Sequence, residues 1–221
     1  MTITTVSEIL FEKHCNIRGI RFGRIAEGEL KSPDYWVQIR RRPIVAEIKQ
    51  LDANEKDRLR ETFDSCVESG LGLAPAKRVR QKLAEAYMQL RAHAKRGVAA
   101  IVVVYNNAGL INFIDEFTVT KAMFGSPQLY LALNQKGFFT LAGEAFGPGQ
   151  KLTKNTCRGI SAVCVLETGG AKETHMSAYH NPYAENPIDP PDLSDLVDYQ
   201  YVYDPPNSTH TFSILPRLLE V

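Results

Sequence analysis

The spacing of apolar positions changes along the chain, and each change predicts an element. Ser7 can cap a helix running roughly to Asn16, with Ile9, Leu10 and Lys13 marking one amphipathic face and its edge, and Gly19 ending it. "GIRFGRIAEG" then sets Ile20 and Phe22 against Arg21 and Gly23, the period of a strand. "DYWVQIR" and "PIVAEIKQ" carry that period on either side of Arg40-Arg41-Arg42, which predicts an antiparallel hairpin. "DANEKDRLRETFDS" reads as a polar helix and "SGLGLAPAK" as a loop. Helical period returns with Val79, Leu83, Ala86, Tyr87, Leu90 and Ala94 on one stripe, and Gly97 stops it. "VAAIVVVYNN" is a continuous β-branched run, the mark of a strand covered on both faces. The first half thus reads α-β-β-β-(α)-α-β.

Beyond Asn107 the pattern is less orderly. "GISAVCVLE" and "THMSAYH" predict a strand pair around "TGGAKE", and "YQYVYD" a late edge strand. "HNPYAENPIDPPDLSD" reads as a Pro-rich, acidic surface excursion. Residues 106–158 mix periods and yield no order. The organisation expected is a core over 1–107 and a C-terminal elaboration over 108–221, packed on the same domain.

Composition changes this picture little. A 44% hydrophobic and 23% charged chain of 221 residues is ordinary for a globular protein. No apolar run reaches bilayer length, and "MTITTVSEILFEKH" has no basic n-region followed by an apolar stretch. Cys15, Cys66, Cys157 and Cys164 form neither CxxC nor zinc spacing. A cytoplasmic protein with reduced thiols and no membrane partner is expected. The net charge of +1 conceals a division: 19 Lys and Arg against 13 Asp and Glu in residues 1–100, then 7 against 12. The basic half suits a polyanionic partner, although solvated basic helices give the same balance.

Within that half, Glu47 and Lys49 project from one strand face, with Ile44, Ala46 and Ile48 on the other. Paired positions across a hairpin sum to a constant, and either plausible register brings Asp34 within about one residue of Glu47 and Lys49, a span of ~5–8 Å. Two carboxylates and an amine would then converge. Mg²⁺ (or Mn²⁺) accepts such hard oxygen ligands, here Asp34, Glu47 and the Ile48 carbonyl, with Glu12 of the first helix as a further carboxylate. Lys49 would position or deprotonate water and stabilise charge on phosphate. The competing reading is an exposed ion pair worth ~0–1 kcal/mol.

Pro33-Asp34 followed by Glu47-Ile48-Lys49, inside α-β-β-β-α-β, resembles the PD-(D/E)xK nuclease superfamily. "FEKHCNIRGIRFGRI" is similar to the first helix and strand of its small endonuclease and Holliday-resolvase-like members, which carry an acid on that helix, here Glu12 or Glu8. "RQKLAEAYMQLRAHAKRGVAAIVVVYNN" resembles the helix-strand unit that follows the active-site strands. The resemblance covers roughly residues 6–107; residues 51–75 and 108–221 have no counterpart in it. It implies an α/β, restriction-endonuclease-like fold, a mixed sheet with helices on both faces. It also implies metal ligation by Asp34 and Glu47 and catalysis by Lys49.

Gln50 points away from Lys49 and reads as structural. Gln89, on the rim of the long helix, reads as solvated, though it could face the site. Arg40, Arg41, Arg42, Lys77, Arg78 and Arg80 are the expected nucleic-acid contacts, at the hairpin tip and the start of the long helix. His175 and His180, five apart, face opposite sides, which argues against joint metal ligation. His93 reads as solvated, "GEAFGPGQK" as a loop, and Cys157 and Cys164 have no histidine nearby to activate them. The expected function is Mg²⁺-dependent phosphodiester hydrolysis on DNA ahead of RNA, with a homodimer compatible. The alternatives are a non-catalytic nucleic-acid-binding or accessory protein on the same fold, and an RNA-directed nuclease.

Overall fold

A computed structural model of the chain describes residues 4–26, 32–40, 42–55, 75–108, 114–134, 137–169, 173–203 and 212–216. Helix α1 (Val6–Ile17) begins two residues earlier than a Ser7 cap would dictate. Thr5 is the N-cap, and its side chain and Glu8 close a reciprocal capping box. The face it buries carries Ser7, Phe11, His14 and Cys15, whereas Ile9 is exposed. The expected Ile9-Leu10-Lys13 face is therefore displaced, because Phe11 anchors the helix on Tyr35 and Phe22.

Strand β1 (Arg21–Arg24) pairs antiparallel with β2 (Tyr35–Ile39), and β2 and β3 (Arg42–Asp52) form the expected antiparallel hairpin. Most of the polar helix expected after them, the loop up to residue 74, and Arg41 and Cys66 lie outside the described residues. Helix α2 (Pro75–Ala94) buries Val79, Leu83, Ala86, Leu90 and Ala94, and Gly97 follows at φ +82°. Strand β4 (Ala100–Asn107) returns parallel to β3 and is buried on both faces through its Val-rich stretch.

Residues 106–158 resolve into α3 (Glu116–Phe124), capped by Asp115, and a two-stranded hairpin of β5 (Pro127–Leu133) and β6 (Phe139–Phe146). Strands β7 (Ala162–Thr168) and β8 (Thr174–His180) pair antiparallel as expected. The Pro-rich segment is not a surface excursion. It holds the short helix α4 (Pro190–Leu193), and Ile188, Leu193, Leu196 and Val197 are core residues. Strand β9 (Tyr199–Tyr203) is not the edge, since β10 (Phe212–Pro216) pairs outside it.

The main sheet is mixed and eight-stranded, in the order β1-β2-β3-β4-β7-β8-β9-β10. The segment after residue 107 continues the sheet that the first half begins. One apolar layer joins the sheet to α2 and α3 through Val45, Leu51, Val102, Val104, Leu83 and Met123. The other joins it to α1 and the 188–197 segment through Ile44, Ala46, Ile48, Ile101 and Cys164. The architecture is α/β with helices on both faces. Among the described residues no helix is long and apolar enough to cross a membrane.

Candidate active site

The site forms where β3 outruns β2. The Val45 N–H donates to the Ala99 carbonyl, so backbone groups of odd residues on β3 face β4 and those of even residues face β2. Tyr35, the first residue of β2, pairs with Ala46, which leaves the Ile48 N–H beyond the end of the partner strand. The Asp34 carboxylate takes the partner's place: its Oδ2 accepts from the Ile48 N–H at 2.7 Å. The Ile48 carbonyl leaves the strand on the same side. The register that pairs Tyr35 with Ala46 sets Asp34 opposite Glu47, as one of the two expected registers does.

The face carrying Val45, Glu47 and Lys49 is covered by α2, so Glu47 is only 1% exposed. Burial, and then the neighbouring Asp34 carboxylate, push its pKa up to about 7; Lys49 and the Asp34 backbone N–H pull the other way. Asp34 is also raised, by burial, against the opposing Ile48 N–H and the Lys49 charge. Lys49 Nζ donates to Glu47 Oε1 at 2.6 Å and to Gln89 Oε1 at 3.1 Å. Gln89 Nε2 in turn donates to the Ser32 carbonyl at 3.3 Å, just before Asp34. Glu47 Oε2 is buried and has no hydrogen-bond partner.

Gln89, expected in solvent, thus faces the site and holds Lys49 from the opposite layer. Gln50 is structural: its Oε1 accepts from the Ser7 N–H of α1 at 3.0 Å. Glu12 does not join the carboxylate pair. Its Oε1 accepts from Tyr35 Oη at 2.7 Å and Arg24 Nε at 2.8 Å. Burial would raise its pKa, yet Tyr35 and Arg24 prevail and hold it below the usual range. Arg24 also bridges to Glu8, whose charge is felt at Asp34. Among the described residues no three His, Cys, Asp or Glu side chains gather as a metal cluster.

The basic residues fall in two places. Arg40 and Arg42 stand at the hairpin tip, five or more residues from Asp34 and Glu47, or at least ~16 Å at the rise of a strand. Both reach to the 187–195 segment: Arg40 donates to Ser194 Oγ at 2.9 Å and pairs with Asp195, and Arg42 donates to the Pro187 carbonyl at 2.6 Å. The tip is thus the end of the hairpin remote from the carboxylates. At the start of α2, Arg78 donates to the Asp52 carbonyl and Arg80 to the Gly149 carbonyl, while Lys77 is exposed.

His175 is exposed and His180 is buried against Gln200, on opposite sides as expected. His93 is half-buried, with Nδ1 enclosed and without a partner, rather than solvated. Cys15, Cys157 and Cys164 are buried free thiols whose pKa values burial pushes up, the opposite of what an activated nucleophile requires. Arg24, Tyr35 and the Ser32 carbonyl, which brace the site, carried no sequence signal beyond their nearness to Asp34. No family model, curated protein or solved structure matches the chain.

Proposed function

We propose that this chain is a metal-dependent phosphodiesterase of the PD-(D/E)xK type, with a restriction-endonuclease-like core and DNA as substrate. The observation that carries the reading is Glu47: a carboxylate buried between sheet and helix, beside a second carboxylate and an ammonium, with one oxygen unpartnered. An unsatisfied buried charged group costs at least ~1–3 kcal/mol, and strained polar groups of this kind concentrate at functional sites.

The residues fit a hard divalent cation. Glu47 offers its free Oε2, Asp34 the oxygen not held by the Ile48 N–H, and Ile48 a carbonyl on the same side. Mg²⁺ or Mn²⁺ held there would supply positive charge for a bound phosphate and lower the pKa of a water. The chain's own groups do the rest. Asp34 is fixed by a backbone hydrogen bond, so its free oxygen keeps one direction. Gln89 keeps the Lys49 ammonium at the carboxylates, where it can orient a nucleophilic water and stabilise charge on the phosphate oxygens.

The test is cleavage of single-stranded, duplex and branched DNA, and of RNA, with Mg²⁺ or Mn²⁺, for the wild type beside Lys49→Ala. Metal-dependent cutting that drops at least ~10²-fold in the variant is expected. Cutting of RNA alone would replace the substrate assignment. Binding without cutting by the wild type would replace catalysis with an accessory role on the same fold.

A further inference from the structure

The β5–β6 hairpin presents a second feature, independent of the catalytic reading. Cross-strand pairing places Leu131 opposite Leu141 and Leu133 opposite Phe139; strand alternation adds Leu129, which pairs with Glu144 beyond the irregularity between Tyr130 and Leu131. These five residues are 58–72% exposed, so among the described residues nothing covers them. The other face carries Gln128, Tyr130 and Thr140, with Tyr130 Oη donating to Gln128 Oε1 and Thr140 Oγ1 to the Ala132 carbonyl. The hairpin is therefore amphipathic, with its apolar side turned to water.

Its base is firmly set. Phe146 packs on Phe124 and Tyr203 at ring distances of 5.3 and 5.5 Å, and the Gly147 N–H donates to the Ser126 carbonyl at 2.7 Å. Beyond that base the strands form a sheet of their own, and among the described residues no third strand joins either edge. A lone two-stranded ribbon is marginal in water, and open edges invite another strand.

We propose that this face is the contact between two copies of the chain, related by a two-fold axis. Two observations select a second copy over other occupants. The five side chains expose on the order of 600 Å², the upper end of what a monomer leaves bare, and two such faces together bury ~1,200 Å², the lower bound of a standard specific interface. The segment 127–146 contains one Lys and one Glu and is neutral overall, so it presents no net charge for a charged partner to recognise or for its own copy to repel.

Sedimentation velocity of the full chain over a range of concentrations tests this. The wild type should sediment as a reversible dimer. Leu131→Glu combined with Phe139→Glu should weaken association at least ~100-fold, because each charge would sit unpaired in the apolar contact. Thr140→Glu, on the opposite face, should leave the dimer intact. Circular dichroism and thermal melting should show both variants folded, since neither side touches the core. A wild type that stays monomeric overturns the proposal, as does a dimer that survives the double substitution. Flotation of a monomeric wild type with phospholipid vesicles would overturn it in favour of a lipid surface. None of these outcomes depends on cleavage, so this inference and the nuclease reading fail separately.

Discussion

Replacing Glu47 by Gln should stabilise the metal-free protein at alkaline pH, although it removes one side of a buried ion pair. Burial and Asp34 raise the folded-state pKa of Glu47 from the usual 4.5 to about 7. A carboxyl raised in this way favours the native state when protonated. Its contribution is present below the unfolded value near 4.5 and is lost as pH climbs through about 7. At about 1.4 kcal/mol per pH unit, that interval makes the ionised group an upper-limit liability of about 3 kcal/mol at pH 8 and above.

Glutamine has the shape of the protonated acid and keeps an oxygen for Lys49 Nζ. Its amide nitrogen, however, inherits the unpartnered position of Oε2. Allowing for that orphan, the gain should be about 1–3 kcal/mol, a rise in melting temperature of several degrees at ~2–4 °C per kcal/mol for a chain of this size. At pH 5 the native wild type is itself protonated at Glu47, and the difference should shrink below about 1 kcal/mol. Thermal unfolding of both proteins with chelator, at pH 5 and pH 8, makes the measurement. A variant no more stable than wild type at pH 8, or a gap that fails to close at pH 5, refutes the electrostatic account of Glu47. Adding Mg²⁺ at pH 8 should then stabilise the wild type more than the variant, since only the wild type keeps both carboxylates.

Two further predictions concern the frame around the site. His14 is buried, with Nε2 on the Leu196 carbonyl at 2.7 Å and Nδ1 on Thr174 Oγ1 at 3.1 Å, and burial holds its pKa below the usual 6.5. A base lowered in this way gives stability above the unfolded pKa and loses it as pH falls. The stability of the Glu47→Gln protein should therefore decline between pH 7.5 and 5.5 by urea denaturation, and adding His14→Gln should flatten that slope while costing about 1–3 kcal/mol at pH 7.5. Arg42→Ala should lower stability by about 1–2 kcal/mol through loss of its bond to the Pro187 carbonyl, and leave the salt dependence of DNA affinity unchanged. A shallower salt slope in fluorescence-anisotropy titrations would instead make Arg42 a phosphate contact.

The sequence was legible where local pattern and long-range structure agree. The hairpin followed from apolar alternation on both sides of Arg40–Pro43, with its register narrowed to two, and β4 followed from a Val-rich run typical of a doubly covered strand. Helix α1 was found but rotated, because its buried face is chosen by an aromatic contact among Phe11, Phe22 and Tyr35 that spacing within the helix does not encode. The 187–197 segment misled because its prolines and acids signal a loop, whereas Leu193, Leu196 and Val197 carry the helical spacing of a buried turn. Gln89 lies beside the buried Leu90, at the rim of the stripe, and only the crossing of α2 over β3 decides whether a rim residue meets Lys49 or water.

Glu47 is the instructive case. Alternation alone assigns it to the wet face of a half-buried strand, where an ExK triplet is unremarkable. In the folded chain that face is dry, and β3 offers the position between sheet and helix that its neighbours Val45 and Val102 fill with apolar side chains. A valine at 47 would satisfy the same packing without a buried charge. The carboxylate is therefore not a packing choice, and Lys49 offsets its cost at one oxygen only, leaving Oε2 unpartnered. That reasoning ties the proposed metal to this residue rather than to the short motif alone. It also explains why one substitution, Glu47→Gln, should raise stability and remove metal response together.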